Sequence, residues 1–108
     1  MKNKYAELDK LEEYLKEKGI VYERTDEELN EYGFNRHQIM VYENKGDDDC
    51  IWDAICHYGS YGYEEGLLEI MGSLVDRRVD GDSVVGYLTA DDVIERIEKR
   101  GCNDADSN

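Results

Sequence analysis

The fold is decided by His37-Gln38-Ile39-Met40-Val41-Tyr42-Glu43, the turn Asn44-Lys45-Gly46-Asp47, and Cys50-Ile51-Trp52-Asp53-Ala54-Ile55-Cys56-His57-Tyr58. Successive side chains of a strand point to opposite faces, so Ile39 and Val41 share one side while Met40 and Tyr42 share the other. In the second run, Trp52, Ala54, Cys56 and Tyr58 lie on one face, and Ile51, Asp53, Ile55 and His57 on the other. Both faces are partly apolar, which places this strand inside a sheet. The Asn-Lys-Gly link has turn chemistry, so residues 37–43 and 50–58 form an antiparallel hairpin.

Toward the N-terminus, residues 25–35 read as an acidic loop and residues 20–24 as a first strand rich in β-formers. Residues 2–18 repeat Tyr5, Leu8, Leu11 and Leu15 at helical spacing, and Gly19 is a left-handed stop. Toward the C-terminus, Gly59-Ser60-Tyr61-Gly62-Tyr63 is a connection. Residues 64–75 place Leu67, Leu68, Met71, Leu74 and Val75 at helical spacing and predict a second helix. Residues 76–86 read as a loop. Thr89 caps a last helix, with Asp92 in the third helical position, Leu88 and Val93 as a hydrophobic staple, and Gly101 as its end. The expected fold is α+β: a three-stranded antiparallel sheet with helices packed on it, in the order α-β-β-β-α-α. Residues 1–101 form a single domain and residues 102–108 a flexible acidic tail.

The 108 residues carry 13 Lys and Arg against 27 Asp and Glu, a net charge of −14. That balance excludes direct nucleic-acid binding, which needs clustered cations to displace condensed counterions, and docking on anionic lipid. No run approaches the ~20 apolar residues of a membrane span. Met1-Lys2-Asn3-Lys4-Tyr5 leads into charged sequence without an apolar leader. Cys50 and Cys56, six apart in one strand, would stand about 20 Å apart, too far to bridge. With Cys102 they read as reduced thiols in a cytoplasm, the strand cysteines serving as small core residues.

The charge is uneven. Residues 1–24 are net neutral, whereas residues 25–66 carry −9, with Arg36 and Lys45 their only cations. The excess gathers in two loops, Asp26, Glu27, Glu28 and Glu31, and Asp47, Asp48 and Asp49, with Tyr32, Tyr42 and Tyr61 among them. Acidic loops keep a small protein soluble. A one-signed surface bearing tyrosines also imitates a nucleic-acid backbone, so these ten residues are candidates for binding a basic nucleic-acid-binding protein. A second reading is a structural or adaptor domain, monomeric or homodimeric, with an apolar tyrosine contact around residues 58–63.

Catalytic chemistry finds less support. Asp53 and His57 lie about 13 Å apart along one strand, and Cys56 and His57 point to opposite faces, whereas a nucleophile and its base must meet. The aspartates at 47–49 and at 80 and 82 lack calcium-loop spacing, and the scattered Cys and His lack zinc spacing. No cofactor is implied, and no catalytic or metal-binding residue is assigned.

Two stretches carry a resemblance: residues 52–69, WDAICHYGSYGYEEGLLE, and residues 86–94, GYLTADDVI. They resemble small uncharacterised proteins carried by phages and mobile elements of Gram-positive bacteria, a family that implies no activity to carry over. In charge and expected element order the chain is also similar to acidic anti-CRISPR proteins that block Cas9 where it reads DNA. That likeness implies a CRISPR nuclease as partner and competitive occupancy, without chemistry, as mechanism.

Overall fold

The computed structural model describes residues 3–28, 31 and 35–106, with side chains described through Lys99. Helix α1 (Ala6–Lys18) leads into five strands, β1 (Tyr22–Glu27), β2 (Arg36–Val41), β3 (Trp52–Ile55), β4 (Leu68–Gly72) and β5 (Val84–Leu88). A short helix α2 (Arg77–Asp80) lies between β4 and β5, and α3 (Ala90–Asp106) closes the chain. The strands form one antiparallel meander in the order β1-β2-β3-β4-β5.

The central hairpin stands as the alternation requires, with Ile39 opposite Ala54 and Val41 opposite Trp52. Its inward residues join Leu68 and Ile70 of β4 in a core buried beneath Leu8, Leu11 and Leu15 of α1 and Ala90 and Val93 of α3. Both long helices therefore cover one face. The other face, with Gln38, Met40, Asp53, Ile55 and Met71, stays half-exposed or exposed. The local signals at the helix ends hold as well. Gly19 adopts φ +69° and donates to the last carbonyls of α1. Thr89 and Asp92 exchange reciprocal hydrogen bonds, 3.1 Å to the Thr89 hydroxyl and 3.0 Å to the Asp92 carboxylate.

The sheet has five strands, not three. Residues 64–75, expected as a helix, form a 3-10 turn (Tyr63–Glu65) and then β4. Their apolar residues also satisfy a period of two, with Leu68 and Ile70 buried and Glu69 and Met71 turned outward. Gly72 settles the matter. At φ +105° its α-carbon lies so close to β3 that a Cβ would stand 2.6 Å from the Ile51 carbonyl, an approach made by paired strands. Residues 76–86, expected as a loop, contain α2 and the first part of β5. The first strand runs over 22–27, so Asp26 and Glu27 are strand residues. Helix α3 continues through Gly101 to Asp106, since a helical glycine costs only about 1 kcal/mol. Cys56 is buried in the core, but Cys50 lies outside the shortened β3 and is exposed. Among the described residues no helix is long and apolar enough to cross a membrane.

Arg96 of α3 fixes α2. Its guanidinium donates to both Asp80 oxygens at 2.9 and 3.0 Å and to the Leu74 carbonyl at 3.1 Å. The Arg96 hydrogen bond holds the Asp80 carboxyl below its ordinary range, against the opposing effect of burial. A depressed carboxyl stabilises the fold above the unfolded pKa and loses that contribution as pH falls through the folded one. Asp80→Asn is expected to cost about 1–2 kcal/mol at pH 7 in urea unfolding. The difference from the parent chain should close as pH falls below about 4.

Candidate functional site

In a meander the connections alternate between the two ends of the sheet. The β1–β2 connection, whose described residues are Glu28, Glu31 and Asn35, residues 56–67 and the β5–α3 junction lie at one end, here called the Asn35 end. Residues 42–51, residues 73–83 and the C-terminus of α1 lie at the other, the Lys45 end. The two acidic stretches expected to form one surface are therefore a strand length apart: Asp26, Glu27, Glu28 and Glu31 at the Asn35 end, Asp47, Asp48 and Asp49 at the Lys45 end.

Asn35 ties its end together. Its amide donates to the Tyr5 hydroxyl at 3.3 Å and the Tyr63 hydroxyl at 3.2 Å, and its oxygen accepts the Tyr58 N–H at 2.7 Å. One side chain thus joins the residue before α1, the β1–β2 connection and the β3–β4 connection. Beside it the buried His37 ring stacks on Tyr5, with centroids 3.8 Å apart. His37 Nδ1 lies 2.8 Å from Asp26, and Nε2 lies 3.5 Å from Glu28.

The candidate acids differ in their pairing. Asp26 is shared between His37 and Arg24, whose guanidinium also reaches Asp9 and Glu12 at 2.8 and 3.0 Å. Burial pushes the Asp26 carboxyl up, but the His37 and Arg24 hydrogen bonds outweigh it and hold it low. Glu27 stands opposite Arg36 in register, while Arg36 donates to Gln38 Oε1 at 3.0 and 2.6 Å. Glu28 and Glu31 are exposed. At the other end, Asp47, Asp48 and Asp49 are exposed, and Asp47 accepts the Asn44 N–H at 2.9 Å. Tyr42 is half-buried beside that hairpin and faces Met40. Tyr32 lies outside the described residues.

The topology adds members that sequence spacing did not group. Glu64 and Glu65, read as the start of a helix, are exposed on the 3-10 turn at the Asn35 end. Connections 28–35 and 56–67 hold Glu28, Glu31, Glu64 and Glu65 and no Lys or Arg. Lys4, the nearby cation of the N-terminal segment, lies over the Tyr63 ring at 4.4 Å. The Lys45 end is mixed in sign, with Lys16, Lys18, Lys45, Arg77 and Arg78 among its acids. Tyr61 lies on the β5 side of the Asn35 end. Its N–H donates to Glu69 at 2.9 Å, its carbonyl accepts the Tyr87 N–H, and its ring lies 6.5 Å from that of Tyr87. Tyr58, Tyr61 and Tyr87 are all more than half exposed.

The Asp53, Cys56 and His57 group remains divided. Burial pushes the Cys56 thiol up and the His57 imidazole down. His57 Nδ1 accepts the His37 N–H at 3.3 Å, and Asp53 accepts the Gln38 amide at 2.7 Å, so each has a different partner. Among the described residues no three His, Cys, Asp or Glu side chains are grouped to hold a metal ion. A groove of about 910 Å³ lies along α3 and α2, away from Asn35.

Two outcomes test the Asn35 cluster. Asn35→Ala is expected to cost about 1–3 kcal/mol in urea unfolding, because it leaves the Tyr58 N–H and two hydroxyls without this partner. Burial, then the Tyr63 hydrogen bond and the Glu28 charge, push Tyr5 from 10.0 up to about 12. Burial and the Glu12 hydrogen bond do the same for Tyr22. The unfolded chain gives up these protons near pH 10 and the folded chain later, so stability is present below about 10 and lost between about 10 and 12. Tyr5→Phe should flatten that alkaline loss in pH-dependent unfolding.

No family model, no curated protein and no solved structure matches this chain.

Proposed function

We propose that this is a non-enzymatic interaction protein whose acidic, tyrosine-bearing Asn35 end binds a basic protein surface. The observation that carries the reading is the convergence on Asn35 of two connections that hold four carboxylates and no Lys or Arg. Carboxylates of one sign on a low-dielectric body attract cations over about a Debye length, as phosphates do, and raise the rate of encounter. Exposed Tyr58, Tyr61 and Tyr87 add rigid amphipathic contact area beside that field.

The partner of this chemistry is a basic nucleic-acid-binding protein, engaged inside a bacterial cell by a chain of phage or mobile-element origin. A CRISPR nuclease is one candidate, and its DNA-reading groove would be occupied without any chemical step. The net charge of −14 supports that candidate, while the residues quoted above bear only on the phage or mobile-element origin. Element order does not, since the sheet has five strands. The Asp47–Asp49 tip, at the opposite end, falls outside this surface. A homodimeric adaptor is the second reading, favoured by the exposed tyrosines alone.

Binding to a purified Cas9–guide complex, compared between 50 and 300 mM salt, tests the proposal. Glu28→Lys/Glu31→Lys/Glu64→Lys/Glu65→Lys is expected to slow association about tenfold or more, whereas Asp47→Lys/Asp48→Lys/Asp49→Lys should change it by less than about threefold. Equal losses in the two variants, or salt-insensitive binding, would contradict the assignment of the surface. Sedimentation showing a dimer that salt does not disturb would favour the adaptor.

A further inference from the structure

The two edges of the sheet differ in kind. At one edge, β1 carries Glu23, Arg24, Asp26 and Glu27, charges of the type that discourage strand addition. At the other edge, β5 reads Val84-Val85-Gly86-Tyr87-Leu88 and is the only one of the five strands without a charged residue. Among the described residues β5 pairs with β4 alone. The strand ends in a bulge: Tyr87 has φ +59°, and its N–H turns to the Tyr61 carbonyl. The part of the edge open to pairing is therefore residues 84–86, with the approach from Ser83. It runs directly into the acidic end, where Tyr61 rests on Gly86 and Glu69 holds the Tyr61 N–H.

We infer that the β5 edge accepts an extended, basic segment of the partner as a sixth strand, by backbone hydrogen bonding at residues 84–86 with a cationic side chain against the Tyr61–Tyr87 pair. The inference rests on the acidic-surface reading above and specifies how that partner is held. Backbone pairing supplies affinity to an uncharged edge without demanding a particular sequence. The Tyr61 and Tyr87 rings, exposed and 6.5 Å apart, offer faces to an ammonium or guanidinium group, and the Glu69 carboxylate, which accepts the Tyr61 N–H, adds a negative charge nearby. A second copy of this chain fits poorly as occupant, because at −14 it repels itself.

Hydrogen exchange on the full chain tests this with two synthetic octapeptides of alternating Lys and Val, capped at both ends. One is unmodified; the other is N-methylated at its four central residues, which keeps the charge but removes the backbone N–H donors there from both edges and sets methyl groups against a pairing strand. The unmodified peptide should slow exchange across residues 83–88 by about tenfold or more at saturation, leave residues 22–27 unchanged, and bind at least about tenfold more tightly than the methylated one. Equal binding of both peptides, with slowing confined to residues 28–35 and 56–67, overturns the edge proposal and leaves the acidic reading standing. Binding of neither peptide at 50 mM salt overturns both.

Discussion

The organisation of the molecule follows from one constraint: five strands joined neighbour to neighbour must send successive connections to alternate ends of the sheet. The chain therefore sorts its charges by parity of connection, whatever their spacing in sequence. Connections 28–35 and 56–67, separated by a hairpin, meet at one end, while the aspartates of the intervening turn are carried to the other. Asn35 converts that proximity into a structure by bonding to Tyr5, Tyr63 and Tyr58 at once. That shared polar partner links the two connections to each other and to the residue before α1.

Two electrostatic regimes result. Around Arg24 and Arg96, carboxylates are consumed internally: Asp9, Glu12 and Asp26 surround one guanidinium, and Asp80 grips the other. These pairs join α1 to the edge strand and α2 to α3, and they contribute little outward field. At the Asn35 end the glutamates of the connections face solvent, and among the described residues Lys4 and Arg36 form no ion pair with them, Lys4 lying over the neutral Tyr63 ring and Arg36 donating to the neutral Gln38 amide. Uneven neutralisation, rather than total charge, makes one end of the protein a candidate for recognition.

The sequence was legible where a local rule had a single solution. The Asn-Lys-Gly hairpin, the Gly19 stop and the Thr89–Asp92 box are set by short-range chemistry, and each stands in the structure. It was ambiguous over residues 64–75, where Leu67, Leu68, Met71 and Leu74 suit a helix and Leu68 and Ile70 equally suit a strand. Gly66 and Gly72, which interrupt a helix, were the signal that the shorter period applied. Without β4, the Val84–Leu88 run had no partner and passed for a loop. Of the ten candidate residues, Asp26, Glu27, Glu28, Glu31 and Tyr61 share an end, while Asp47, Asp48, Asp49 and Tyr42 do not join them. That division is a property of strand number, which residue spacing does not encode, and the same miscount hid Glu64 and Glu65.

The central claim is that the Asn35 end presents a field more negative than the rest of the surface. Paramagnetic relaxation of backbone amides by a cationic nitroxide, divided by that from a neutral nitroxide of the same size, measures this field residue by residue. The account expects the ratio to be highest at residues 28, 31, 35 and 58–65, and clearly lower at 44–49 and 73–83. Equal ratios at the two ends, or a maximum at 47–49, would contradict it.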